Sequence, residues 1–177
     1  MKQRLSISVI ITFLLLFMAQ SSQCQSKKQA FEWATFTLPS TVGHLITGLG
    51  NYAKFTRCPN EDDCDFGATY EWKLSNGLMV DGYAMKVGPK GKASKQHAIE
   101  FIELSARKGA VIDNLIFQLS LNKSSLTECK KKFNLKESRD PNTWKFQQKN
   151  IFTYLYFNDN GILIKIGQYP FDKENVG

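Results

Sequence analysis

Two Asn-Gly dipeptides each stand between runs of alternating apolar residues: Asn76-Gly77 in YEWKLSNGLMVDGYAM and Asn160-Gly161 in IFTYLYFNDNGILIKIG. A two-residue turn that matches the twist of its strands needs positive φ at both central positions, which Asn-Gly tolerates well. Each stretch is therefore read as a β-hairpin. Because strand side chains alternate between faces, the length of the turn decides which residues share a face. Two-residue turns would set Tyr156 opposite Lys165 and Tyr154 opposite Gly167 in the second hairpin. They would set Trp72 opposite Asp81 and Tyr70 opposite Tyr83 in the first.

In the second hairpin, one face then collects Ile151, Thr153, Leu155, Phe157, Ile162, Ile164 and Ile166, an aliphatic surface suited to packing under a helix. The other collects Phe152, Tyr154, Tyr156, Asn158, Leu163, Lys165, Gly167 and Tyr169, with Gly167 expected to leave space above the Tyr154 ring. Tyrosine suits a half-wet surface, since it combines rigid apolar area with a polar tip. In the first hairpin, Tyr70, Trp72, Leu74, Met79, Asp81, Tyr83 and Met85 would share a face. That face either extends the tyrosine surface or is covered by a loop. The candidate protein-binding residues are accordingly Tyr154, Tyr156, Lys165, Tyr169, Tyr70, Trp72 and Tyr83, against the simpler reading that cross-strand aromatics only stabilise an exposed sheet.

A helix is expected before each hairpin. Ser125 followed by Glu128 has the spacing of a capping box, and Leu126, Cys129 and Phe133 then form one apolar stripe. This makes Cys129 a buried thiol. Ser40, Thr41, Val42, Leu45 and Leu49 can be laid over Ser124, Ser125, Leu126, Cys129 and Phe133 at the same 84-residue spacing that relates the two Asn-Gly turns. An internal repeat is the expectation. Between the units, Ile102 and Leu104, then Val111, Leu115, Phe117 and Leu119, read as another strand pair around Ala106 to Gly109, and FEWATFTLP as an extra edge strand. The expected fold is α+β: a single antiparallel sheet of about six to eight strands with two helices on one face, built as a tandem repeat of residues 38–121 and 122–171 within a domain of 38–177.

Residues 1–23 have the basic start, apolar stretch and small polar end of an export signal, followed by an N-terminal segment, 24–37. Cys24 raises lipidation as an alternative, although Ser21, Ser22 and Gln23 are poor lipidation context. An exported chain meets an oxidising compartment, so Cys58 and Cys64 are read as a loop disulfide. The formal net charge is +7, and export makes nucleic acid the least favoured partner of such a surface. Lys90, Lys92 and Lys95, on a Gly/Pro loop, are placed at the rim of the binding face.

His44 and His97 are the only histidines. His44 falls in the first helix, His97 follows the basic loop, and no nucleophile elbow, phosphate loop or metal-ligand spacing is present. The expectation is a non-enzymatic protein with no cofactor and no metal site.

Two capped helices, each followed by a meander with aromatic strands and an Asn-Gly turn, resemble the beta-lactamase inhibitor protein fold and its single-unit relatives, the SmpA/OmlA outer-membrane lipoproteins. The resemblance is carried by SSLTECKKKFN with FTYLYFNDNGILIKI, and more weakly by STVGHLITGLG with ATYEWKLSNGLMV. It implies an exported module, periplasmic, secreted or lipid-anchored, that grips another protein of the envelope or exterior through an aromatic sheet face. No contact residue is carried over from those families. A carrier of a small apolar ligand is the alternative.

Overall fold

The computed structural model describes residues 31–58, 67–88 and 90–170. The fold is α+β. Ten strands are formed, β1 (Ser40–Thr41), β2 (Lys54–Arg57), β3 (Ala68–Lys73), β4 (Leu78–Ala84), β5 (Ala98–Ile99), β6 (Phe101–Ala106), β7 (Lys136–Glu137), β8 (Thr143–Gln148), β9 (Ile151–Phe157) and β10 (Leu163–Pro170), with helices α1 (Val42–Leu49) and α2 (Leu126–Lys132). The short pair β1–β5 stands apart from an eight-stranded sheet of order β2-β3-β4-β6-β10-β9-β8-β7. All its pairings are antiparallel. Each helix is thus followed by strands that meander outward-in, and the two groups meet where β6 pairs with β10.

Both hairpins close through three-residue loops, one residue longer than expected. In the first, Leu74 N donates to Leu78 O and Gly77 N to Leu74 O, with Gly77 at φ +92°. In the second, Asn158 N donates to Ile162 O and Gly161 N to Asn158 O, with Gly161 at φ +69°. A side-chain amide oxygen favours each longer loop, Asn76 Oδ1 accepting from Leu78 N and Asn158 Oδ1 from both Asn160 N and Ile162 N. Only the glycine then needs the left-handed region.

The extra residue has opposite consequences in the two hairpins. In the first, the register slips by one throughout: Trp72 pairs with Val80, and Tyr70 with Gly82. Tyr70 and Trp72 therefore join Leu78, Val80 and Ala84 in the core, at 1% exposure or less. Met79, Asp81 and Tyr83 face the other way. In the second hairpin, an irregularity between Leu163 and Lys165 absorbs the slip. Lys165 opposite Tyr156 and Gly167 opposite Tyr154 are the resulting pairs. The exchange falls on Leu163, which is buried, and Ile164, which is exposed, opposite to the expected faces.

One core row, Tyr70, Gly82, Ile102, Gln168, Thr153 and Phe146, crosses six strands. At one end Trp72 Nε1 donates to Gly50 O at the C-terminus of α1. At the other, Phe133 at the C-terminus of α2 stacks on Phe146 at 4.4 Å. Both helices thus pack on the same face of the sheet. Val42 and Leu45 are the buried positions of α1, and Cys129 is that of α2. Thr41 caps α1 through His44 N, and Ser125 with Glu128 forms the full capping box of α2.

Two segments depart from the expected strands. After β6 the chain does not return as a strand. Residues 111–121 fold over the helix-side core, burying Ile112, Leu115, Ile116, Leu119 and Leu121, with Asn114, Phe117 and Gln118 at positive φ. The partner that β6 would have found there is supplied by β10. Ahead of α1, Trp33–Thr35 is a single 3-10 turn in place of an edge strand, and it buries Trp33 and Phe36. The 84-residue spacing is no structural repeat of the hairpins: Gly77 lies between the second and third large-sheet strands after α1, Gly161 between the third and fourth after α2.

Candidate binding face

On the face opposite the helices, one row of side chains crosses all eight strands: Lys54, Glu71, Asp81, Glu103, Gly167, Tyr154, Lys145 and Lys136. On one side of it run Lys73, Met79, Ser105, Lys165 and Tyr156. On the other, Thr69 pairs with Tyr83, Tyr83 with Phe101, and Tyr169 with Phe152. Tyr83, Phe101, Phe152, Tyr154, Tyr156 and Tyr169 are all partly exposed.

Glu103 organises the centre. Its Oε2 accepts from Tyr83 Oη at 3.1 Å, and its Oε1 accepts from Tyr169 Oη at 3.0 Å and from Lys165 Nζ at 3.1 Å. The Lys165 ammonium also lies 4.1 Å from the centre of the Tyr156 ring, a cation–π position. Burial, with the Glu103 charge next in weight, pushes the hydroxyls of Tyr83 and Tyr169 well above the usual tyrosine range. Both stay protonated as donors at any physiological pH.

Gly167 matters for a reason other than the expected one. A Cβ there would meet Tyr169 Cε2 at 2.8 Å, so the Tyr169 ring lies across its own strand into the space the glycine leaves. From there it makes edge contacts with Tyr154 and Phe101, both at 5.2 Å between ring centres. Tyr154, Tyr169, Phe101 and Phe152 form a continuous aromatic strip, flanked on the β8 side by Lys145, whose ammonium lies 5.6 Å from the Phe152 ring and 5.9 Å from that of Tyr154.

Asp81 is set between Glu71 and Glu103. Burial first, then the two neighbouring carboxylates, raises its pKa against the pull of Lys165 and Lys73. Glu71 is tied to Lys54 at 3.1 Å. Beside these groups lies an open groove of about 350 Å³ over β2, β3 and β4, lined by Lys54, Asp81 and Tyr83 among others.

Of the candidate residues, Tyr154, Tyr156, Lys165, Tyr169 and Tyr83 come together on this face. Tyr70 and Trp72 do not, because the three-residue turn places them under α1. The Tyr70 hydroxyl instead receives Ser94 N at 3.0 Å and bonds His97 Nδ1 at 2.6 Å, pinning the base of the lysine loop. Gly43 N donates to Lys95 O and Val42 N to His97 O. These bonds draw the loop toward the helix layer, so Lys95 belongs to that side and not to the rim of the aromatic face. Lys90, Lys92 and Lys95 are exposed, and none of them lines the 350 Å³ groove.

Phe101, Glu103 and Lys145 also lie on this candidate face and are not among the residues expected from the sequence. The signal was available: with Ile102 and Leu104 inward, Phe101, Glu103 and Ser105 must point outward. Phe152 lies on the face expected for it, paired with Tyr169.

Both histidines are engaged locally, His97 with Tyr70 and His44 Nδ1 with Ser40 Oγ at 2.9 Å, the His44 ring lying against Phe31 and Phe36. Among the described residues no group of three His, Cys, Asp or Glu side chains is placed to hold a metal ion, and no helix is long and apolar enough to cross a membrane. Burial pushes the Cys129 thiol up to about 11. Residues 1–23, read from the sequence as an export signal, and Cys24 and Cys64 lie outside the described residues. Cys58 closes β2, its amide donating to Gly67 O at 3.1 Å.

Comparison with family models, curated proteins and solved structures returns no match to this chain.

Proposed function

We propose that this chain is an exported, non-enzymatic protein-binding module, of the inhibitor, immunity or envelope-assembly kind, whose binding surface is the helix-free face of the large sheet. The observation that carries this reading is the aromatic strip Phe101–Tyr169–Tyr154–Phe152, partly exposed, packed ring against ring and anchored at Tyr169 by its hydrogen bond to Glu103. Rings fixed in this way lose little entropy on binding, and aromatic anchors of this type commonly carry about 2 kcal/mol or more each as interface hot spots. Lys165 and Lys145 supply polar contacts at the margin of the strip. The resemblance to the beta-lactamase inhibitor proteins and the SmpA/OmlA lipoproteins points to the same class of activity.

The test compares wild type with a Tyr154→Ala/Tyr156→Ala variant and a Lys131→Ala control, exposed on α2 on the opposite side of the sheet, in recovery of partners from an envelope extract. Loss confined to the tyrosine variant, with its circular dichroism unchanged, is the expected outcome. Equal recovery by all three folded proteins would sink the reading. The intact mass of the mature protein tests the export assignment: removal of residues up to about Ser21, or an acyl adduct on Cys24, is expected, and an unprocessed chain contradicts it.

A further inference from the structure

At the outer edge of the sheet, β7 covers only the first part of β8. Pairing ends at Lys136 with Lys145 and Glu137 with Trp144, while β8 continues to Gln148. Ser138 N donates to Thr143 O, and Phe157 N to Asn142 O. Even-numbered residues of β8 thus direct their backbone groups toward β9, and Thr143, Lys145 and Gln147 direct theirs outward. No described residue pairs with the outward N–H and C=O of Gln147.

Against this open edge lies a groove of about 570 Å³. Its helix-side wall is the Phe133–Phe146 stack, with Phe117 edge-on to both at 5.8 and 5.2 Å. Phe152 lines it from the other side of the sheet. The charged residues of the lining are Lys132, Lys136 and Lys145, with no aspartate or glutamate. Among the described residues none of these lysines has a carboxylate within ion-pair distance. Lys132 donates to Phe117 O, and Lys145 rests near aromatic rings.

We propose that this edge receives an acidic, extended peptide segment of a partner protein, added as a further strand beside Phe146–Gln148. An added strand sends alternate side chains to opposite faces. One apolar side chain would reach the Phe117–Phe133–Phe146 wall, and flanking carboxylates would reach Lys136 and Lys145 on the opposite face, while Gln147 supplies the backbone donor and acceptor that fix register. An anionic lipid or nucleic acid could use the lysines and the phenylalanine wall but would leave the outward backbone donor and acceptor of Gln147 unmatched, and only a peptide strand satisfies all three. The proposal shares the class of partner with the aromatic-face reading and uses neither Tyr154 nor Tyr156, so the two can fail separately.

The experiment titrates the 15N-labelled protein with a short end-blocked peptide alternating glutamate with phenylalanine and valine. Its glutamine counterpart, anionic phospholipid vesicles and a single-stranded oligonucleotide serve as comparisons. Saturable shifts centred on the Gln147 amide are expected, weakened about tenfold or more in the glutamine peptide and in a folded Lys136→Glu/Lys145→Glu variant. They should persist in Tyr154→Ala/Tyr156→Ala. Absence of saturation at millimolar peptide, equal binding of the glutamine peptide, indifference to the lysine changes, or tighter binding of vesicles or oligonucleotide at this edge would each overturn the proposal.

Discussion

Asp81 stands directly between two carboxylates on adjacent strands, and its proton is held more tightly in the folded protein than in the unfolded chain. A carboxyl shifted in this direction favours the fold most below the unfolded carboxylate range and loses that contribution as pH rises through the folded value. At neutral pH the charged form is a liability. Asp81→Asn should therefore stabilise the protein by about 0.5–1 kcal/mol at pH 7, the cost typical of like charges set opposite each other in a sheet. Urea unfolding should show the gain shrinking as pH falls through the folded value of Asp81 and vanishing only below the unfolded carboxylate range, where Asp81 is neutral in both states. A gain independent of pH would mean that charge is not the cause. Gly167→Ala acts in the same row, on the other side of Glu103. Its methyl group would fall on the Tyr169 ring, lifting the ring from Glu103, with an expected loss of about 1–2 kcal/mol and a changed near-ultraviolet tyrosine signal. Tyr169→Phe keeps the ring and removes only the hydrogen bond, and should leave that packing in place.

Among the elements, the two hairpin turns invite a direct comparison. Both glycines occupy the left-handed region, where an L side chain costs about 1–2 kcal/mol. At Gly161 the nearest atom to an added Cβ is 3.8 Å away, whereas at Gly77 it is the Ala110 Cβ at 2.7 Å. Gly161→Ala should cost the backbone term alone. Gly77→Ala should cost measurably more, because residues 107–110 must also move, and denaturant midpoints of the two variants would separate the terms. These turns also mark where the sequence could and could not be read. Asn-Gly located both hairpins, and alternation placed Tyr154, Tyr156, Lys165 and Tyr169 on one face. Loop length was set by Asn76 and Asn158 side chains accepting backbone amides, a choice that the dipeptide does not reveal. One residue of error then moved Tyr70 and Trp72 from surface to core, while the irregularity beside Ile164 cancelled the same error in the second hairpin. The strand assigned after Gly109 failed for a different reason: its apolar residues answer to burial over the core, and burial alone does not distinguish a strand from an irregular cover.

For the whole molecule, the decisive relation is between chain order and sheet order. The four large-sheet strands that follow α1 and the three before β10 form two groups, and β10, the last of the described strands, is the one that joins them. Its pairings with Leu104 and Leu155 through Ile166 run through the middle of the core. A chain ending at Gly161 should lose cooperative unfolding altogether, in contrast to the small losses expected from surface changes. Calorimetry would check this, and a sharp transition in the shortened chain would contradict it. The same relation carries a consequence in time. While the chain is being made, no continuous sheet can exist, since β6 and β9 each still present an unpaired edge. A copy released early therefore keeps two adhesive strands open to proteases and to other copies, and only a chain complete through β10 can hide them. Completeness of synthesis is in this way made a condition of persistence.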